Sequence, residues 1–176
     1  NQAMQCRTSL EVEHLLAQFR MRQQDVPLVS AECITLNSDW RSKEEVLKGM
    51  TDNLLLAGRC RYPRKLEADL WAREAVFSTG LGFSFAIPHS KSEHIEQSTI
   101  SVARLAQPVI WGDEEAQFVI MLTLNKHSAG DQHMRIFSRL ARRIMHEEFR
   151  QSLVTAQSCE AIATLLQREL ELDRKS

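Results

Sequence analysis

The residues best suited to chemistry in this chain are a histidine that follows a proline, a second histidine and an arginine. His89 comes directly after Pro88, and residues 83–87 ahead of them read as a short apolar strand. The proline ends the strand and stiffens the backbone that aims His89. Ligands of open α/β sheets gather beyond the carboxyl ends of strands, where a neutral imidazole nitrogen can act as a nucleophile. From spacing alone, His89 also fits a loop histidine that makes an ordinary hydrogen bond.

His133 and Arg73 are the candidates to assist such a nucleophile. The pattern of residues 131–147 predicts a helix that Asp131 caps, which places His133 in the first turn. There the helix dipole favours a neutral histidine, and free backbone N–H groups suit an anion such as phosphate. Arg73 can direct two N–H bonds at a phosphoryl group. Taken alone, both positions also fit ordinary solvent-exposed residues, which is the commoner case.

Hydroxyl groups near the glycine-rich stretch provide weaker candidates. Thr79 and Ser90 lie on either side of the predicted strand and can donate hydrogen bonds to a bound anion. Hydroxyls are so common near turns that neither residue indicates a site without further support.

Nucleotide, metal and cofactor sites are not indicated. Gly80 and Gly82 lack the third glycine of a dinucleotide fingerprint, since Phe85 occupies that position. The histidines show neither the HExxH pattern nor Cys/His zinc spacing. Four cysteines are scattered without a CxxC pair, which is typical of reduced structural thiols. We therefore expect no metal, no cofactor and a cytoplasmic protein.

Length and composition limit the remaining classes. The chain has 176 residues, enough for one domain and a modest appendage. Lys and Arg total 22 against 23 Asp and Glu, so the net charge of -1 gives no field that favours nucleic acid. The longest apolar run, residues 118–122, is far shorter than the roughly 20 residues of a membrane span. We expect neither a nucleic-acid partner nor direct membrane insertion.

The order of predicted elements alternates between strands and helices. Strands are predicted at residues 28–36, 83–87, 99–105 and 116–124. Helices are predicted from a Ser42–Glu45 capping box to Gly58, over residues 64–77 and 131–147, and from Ser158 onward. This order favours an α/β domain, a three-layer sandwich in which helices flank a mixed β-sheet. Residues 1–27 form a separate region, an amphipathic helix over residues 8–20 followed by a linker, and the main domain spans residues 28–176.

The stretch from Arg73-Glu74 through STGLGFSFAIPH, which ends at His89, resembles the signature of the fructose/mannitol family of enzyme IIA domains in the phosphoenolpyruvate-dependent sugar phosphotransferase system. The resemblance extends over about residues 28–170. It implies that His89 carries the phosphoryl group, that His133 is the second active-site histidine, and that Arg73 contacts the phosphoryl group. Thr79 and Ser90 are expected to support phosphoryl binding. The chain departs from many relatives at Phe83, Phe85 and Ser90, which bears on partner preference more than on chemistry.

The resemblance also implies the partners of a phosphotransferase. HPr or an HPr-like domain would donate the phosphoryl group and a IIB domain would accept it during sugar uptake. Residues 1–27 resemble the end of enzyme I, which would then lie in the same polypeptide. Two alternatives stay open: a regulatory binding module whose partner affinity changes when His89 is phosphorylated, and a metal hydrolase, which would need a bound metal.

Overall fold

The computed structural model of the chain describes residues 28–127 and 132–170. After a 3-10 turn, Ala31–Cys33, these residues form six strands and five α-helices. In chain order they are β1 (Ile34–Ser38), α1 (Lys43–Leu56), α2 (Pro63–Glu74), β2 (Gly80–Gly82), β3 (Phe85–Ala86), β4 (His89–Ser92), β5 (Thr99–Trp111), β6 (Glu114–Asn125), α3 (Gln132–Ile144), α4 (Glu147–Thr155) and α5 (Cys159–Glu169).

The strands form one mixed sheet in the order β1-β5-β6-β3-β2, and β4 also pairs with β6. Strands β5 and β6 form an antiparallel hairpin, whereas β1 runs parallel to β5. Strands β3 and β4 both run parallel to β6 and pair with the side of β6 that faces away from β5. The long strand β6 therefore carries the segment that ends in the candidate histidine.

Helices cover both faces of the sheet. In β6, Phe118, Ile120 and Leu122 belong to the core that the three C-terminal helices complete, whereas Val119 and Met121 belong to the core beneath α1 and α2. Successive side chains of a strand point to opposite faces, so this alternation is that of a sheet buried on both sides. The predicted three-layer sandwich with a mixed sheet is confirmed.

Two helix starts follow from their capping residues. The Ser42 side chain accepts a hydrogen bond from the Glu45 backbone N–H at 3.1 Å. The Ser158 side chain accepts one from Ala161 N–H, also at 3.1 Å. Each serine satisfies a backbone donor that has no partner within its helix. Gly58, with φ of 76°, lies just past the end of α1, as the sequence predicts.

Several predicted boundaries are wrong. Residues 28–36 do not form one strand, because Cys33 N–H bonds to Ser30 O and closes the 3-10 turn ahead of β1. The helix predicted over residues 64–77 ends at Glu74. The helix predicted over residues 131–147 ends at Ile144, and α4 starts separately at Glu147.

The strand predicted over residues 83–87 is also wrong at its start. Phe83 and Ser84 have φ of 59° and 66° and form the two-residue turn of the β2–β3 hairpin, in which Gly82 pairs with Phe85. Positive φ at both central residues is the mark of a type I′ turn. The strand proper begins at Phe85.

The predicted appendage cannot be compared with the fold. Residues 1–27, including the expected helix and linker, lie outside the described residues, so the domain boundary at residue 28 stays a prediction. Within residues 28–127 and 132–170, no helix combines the length and the apolar character needed to cross a lipid bilayer.

Candidate active site

The position of His89 is set by a strand that a proline interrupts. Phe85 lies opposite Phe118 and His89 lies opposite Leu122, so β3 and β4 keep one register along β6. Pro88 has no N–H to give to the sheet, but its carbonyl accepts a hydrogen bond from Leu122 N–H at 2.9 Å. The proline therefore interrupts the pairing without moving the strand away from β6.

The two nitrogens of His89 have different partners. Nδ1 lies 2.9 Å from the Ile87 carbonyl oxygen. A carbonyl only accepts hydrogen bonds, so Nδ1 carries the proton and Nε2 keeps a lone pair. Arg73 Nε donates a hydrogen bond to that Nε2 at 3.1 Å. The unprotonated nitrogen thus faces a permanent cation.

The surroundings of His89 favour its neutral form. Burial is the largest influence and lowers its pKa below the ordinary histidine value of 6.5, and the Arg73 charge acts in the same direction. The Ile87 hydrogen bond and the Glu74 charge oppose this shift without cancelling it. The Phe137 ring covers the imidazole at a centroid distance of 4.6 Å. A neutral imidazole is the form that can attack phosphorus.

Arg73 reaches the histidine from the last turn of α2. Besides its bond to His89, it donates from Nη1 to the Phe77 carbonyl at 3.3 Å, which lies in the loop that follows the helix. The structure therefore brings together the predicted nucleophile and the predicted phosphoryl-binding arginine.

The two predicted hydroxyl residues lie near the histidine but have other partners. The buried Thr79 hydroxyl donates to Glu74 Oε2 and accepts from Trp111 Nε1 at 3.1 Å. Ser90 follows His89 in β4, and its hydroxyl donates to the Lys91 carbonyl at 3.3 Å. Among the described residues, neither hydroxyl is hydrogen-bonded to the His89 ring. Their part in phosphoryl binding stays a prediction.

His133 is the second residue of α3, and its side chain lies outside the described part of the chain. Phe137, which contacts His89, follows it by one helical turn. The predicted pairing of the two histidines stays a prediction.

Sequence reasoning missed two residues beside the site, Glu74 and Lys43. Glu74 is buried next to Arg73, and its Oε1 pairs with Lys43 Nζ at 2.7 Å. Lys43 Nζ also lies 5.1 Å from the centre of the Trp111 ring. The signal available was the position of Glu74 inside the quoted motif. Nothing in the spacing of Lys43 on a different helix indicates the pair.

Metal-binding geometry is not found near these residues. Within the described ranges, no group of three His, Cys, Asp or Glu side chains is arranged to hold a metal ion. Three cysteines of these ranges, Cys33, Cys60 and Cys159, are free thiols, and burial raises the pKa of each. A raised pKa keeps a thiol protonated and unreactive.

An unprotonated imidazole nitrogen beside a guanidinium is an arrangement suited to binding and transferring an anionic group, and here it lies on an α/β sandwich. Residues 27–169 match the family model "Phosphoenolpyruvate-dependent sugar phosphotransferase system, EIIA 2". The chain belongs to this family, whose EIIA domains are phosphotransferase components.

A curated relative supports the family assignment. The chain is 89% identical over 172 residues to multiphosphoryl transfer protein 2 of Escherichia coli K12, a match that covers 98% of this chain and 21% of that protein. It therefore spans about a fifth of the length of that relative.

Two solved structures share the fold. Nitrogen regulatory protein IIA-Ntr from Neisseria meningitidis aligns with a TM-score of 0.71 at 25% identity, covering 79% of this chain and 96% of that one. The complex of enzyme IIAMTL and phosphorylated enzyme IIBMTL from Escherichia coli aligns with a TM-score of 0.66 at 21% identity, covering 79% and 96%.

Proposed function

We propose that this chain is a phosphocarrier that accepts a phosphoryl group on His89 from phospho-HPr or an HPr-like domain and passes it to a IIB component during sugar uptake. The observation that carries the proposal is the bond of 3.1 Å from Arg73 Nε to the unprotonated Nε2 of His89. It supplies a nucleophile and an anion-binding group in one contact.

The transfer needs no other reagent. The Nε2 lone pair attacks the phosphorus of the donor's phosphohistidine, and a new N–P bond forms on His89. The donor's N–P bond breaks, and its electron pair returns to the donor imidazole. Nδ1 keeps its proton throughout and donates it in a hydrogen bond to the Ile87 carbonyl, so His89 needs no base to activate it.

Arg73 changes partner during this step. Once the lone pair of Nε2 forms the N–P bond, it no longer accepts the Arg73 hydrogen bond. The guanidinium then donates to the phosphoryl oxygens, whose spread negative charge it stabilises. His133 serves beside it as the second active-site histidine, while Thr79 and Ser90 support the phosphoryl site from either side of His89.

The remaining parts of the proposal follow the family. A IIB domain, which accepts the group on cysteine in the fructose-type branch, is the acceptor. The E. coli complex joins a IIA enzyme of the same fold to a phosphorylated IIB enzyme. Enzyme I lies in the same polypeptide, as the multiphosphoryl relative suggests, and the protein works in the cytoplasm.

Mass spectrometry of the intact chain tests the carrier role. The chain is incubated with phosphoenolpyruvate, enzyme I and HPr, and the native protein is compared with His89→Ala, His133→Ala and a control, His94→Ala. We expect one acid-labile phosphoryl group on the native chain and the control, none on His89→Ala, and slower labelling of His133→Ala. An unlabelled native chain, or a labelled His89→Ala variant, contradicts the proposal.

A regulatory module is the second candidate. The solved structure that aligns with a TM-score of 0.71 is described as a nitrogen regulatory protein. A regulator would be labelled on His89 but would not pass the group to IIB, and its phosphorylation would change the affinity for a target. Transfer from the labelled chain to a IIB domain therefore separates the two candidates.

A further inference from the structure

Glu74 is a buried carboxylate that no step of the transfer uses. Its side chain is 2% exposed, and it follows Arg73 directly at the end of α2. Oε1 accepts from the Thr79 backbone N–H at 3.2 Å, and Oε2 accepts from the Thr79 hydroxyl. The carboxylate therefore holds the loop after α2 at its far end, where β2 is about to begin.

The bond to Thr79 is one side of a closed ring. The Thr79 carbonyl accepts from Ile87 N–H at 3.0 Å, and the Ile87 carbonyl faces Nδ1 of His89 at 2.9 Å. Nε2 of the same imidazole receives the Arg73 hydrogen bond. Arg73 is covalently joined to Glu74, so the site ring, as we call it, closes through Arg73, Glu74, Thr79, Ile87 and His89. The proposed nucleophile and the proposed phosphoryl-binding arginine are thus both linked to one carboxylate.

The charge on Glu74 has its own partner outside the site ring. Lys43 Nζ on α1 lies 2.7 Å from Oε1, and the Lys43 side chain is 16% exposed. The ammonium also lies 5.5 Å and 5.1 Å from the ring centres of Trp71 and Trp111. This cation compensates the buried carboxylate, and its ion pair is with Glu74.

We infer that Glu74 is the positioning residue of the site: by holding Thr79 it sets the distance and angle between the Arg73 guanidinium and Nε2 of His89. This inference rests on the proposed function. Glu74 makes no hydrogen bond to the His89 ring, so it acts by setting how Arg73, which it adjoins, meets the histidine that Thr79 and Ile87 hold. A displacement of about 1 Å between reacting groups can slow a reaction about 100-fold, which is the scale of effect expected when the site ring opens.

The test measures phosphoryl transfer from phospho-HPr to the chain by quenched intact-mass analysis, giving a maximal rate and a half-saturating donor concentration. Glu74→Gln breaks the ion pair, and Lys43→Met/Glu74→Gln removes both charges so that no unpaired buried charge destabilises the fold. Urea unfolding verifies that each variant is folded. The control is Glu67→Gln, since Glu67 on the same helix is likewise a carboxylate that accepts side-chain hydrogen bonds, from Trp71 and Arg64, but lies outside the site ring.

We expect the folded double variant to transfer about 10-fold to 100-fold more slowly at an unchanged half-saturating concentration, and Glu67→Gln to match the native chain. In an Arg73→Ala background, Glu74→Gln should slow transfer further by less than about twofold, because a residue that acts through Arg73 has little left to position. A purely structural role would leave the two effects independent.

Three results overturn the inference. One is a folded double variant with a native transfer rate, and another is a Glu74→Gln effect that is equally large with and without Arg73. In either case the native chain is labelled and His89→Ala is not, so the proposed function stands and only the role of Glu74 fails. The third is a native chain that takes no label, which removes the proposed function and the inference together.

Discussion

The turn between β2 and β3 consists of residues poorly suited to its backbone. Phe83 and Ser84 both have positive φ, at 59° and 66°, where Asn-Gly is the preferred pair. Left-handed backbone costs an ordinary residue roughly 1–2 kcal/mol. Replacing the pair with Asn-Gly should therefore recover about 2 kcal/mol across the two positions. The substitution also loses one stabilising contact, because it removes the Phe83 ring, whose centroid lies 3.9 Å from Arg150 Cζ.

Loss of the Arg150–Phe83 contact reduces the expected gain in the free energy of unfolding. A cation over an aromatic ring at an exposed site contributes about 0.5–1 kcal/mol. Phe83→Asn/Ser84→Gly should then raise the free energy of unfolding by about 1–1.5 kcal/mol. In a domain of this size, the melting temperature should rise by roughly 2–6 °C.

Urea denaturation with a constant m-value measures the change. Ser84→Gly alone keeps the ring and should stabilise by about 1 kcal/mol, whereas Phe83→Ala keeps the unfavourable backbone and should destabilise by about 0.5–1 kcal/mol. A double variant no more stable than the native chain, together with a neutral Ser84→Gly, would refute the argument that this turn is strained.

Two further predictions concern the histidine and a crowded glycine. Since burial lowers the pKa of His89 below 6.5, the unfolded chain binds more protons than the folded one just below that pH. The stability that comes from keeping His89 neutral is therefore present above pH 6.5 and is lost as the pH falls toward the folded pKa. His89→Gln should weaken the dependence of the free energy of unfolding on pH in this range. An NMR titration midpoint of His89 at or above 6.5 would contradict the prediction. A Cβ at Gly49 would lie 2.1 Å from Trp40 Cζ2, so Gly49→Ala should destabilise despite the better helix propensity of alanine. In a Trp40→Ala background the same change should stabilise by about 1 kcal/mol in thermal unfolding, and an equal effect in both backgrounds would exclude crowding as the cause.

The sequence predicts elements best where local chemistry decides them. Helix α1 follows from the Ser42 cap and Gly58, both of which act within a turn of the helix end. Helix α4 was missed because its N-cap position is His146, which makes no side-chain capping bond, so the pattern of α3 runs on without a visible stop. Similarly, Phe83 and Ser84 carry no turn signal, and their positive φ is imposed by the strands on either side.

The candidate site also has a part that the sequence predicts and a part that only the packing of the fold brings together. His89 and Arg73 were predicted from the motif, and the structure places them in contact. Glu74, Lys43 and Trp111 come from separate elements, and only the packing of α1 against α2 and the sheet brings them together. Contacts between residues of different layers produce no regular spacing in a single sequence. The residues that support the site could therefore not be predicted.

The acceptor that fixes the His89 tautomer is a main-chain oxygen, that of Ile87. A substitution at position 87 changes the side chain and leaves this carbonyl in place. Single-codon changes can therefore remove the arginine or the glutamate, but none can delete the group that holds the proton on Nδ1. Only changes that redirect the backbone, as at Pro88, reach it. This tautomer is inherited with the course of the chain, which allows side chains around the histidine to diverge during evolution while the Nε2 lone pair persists.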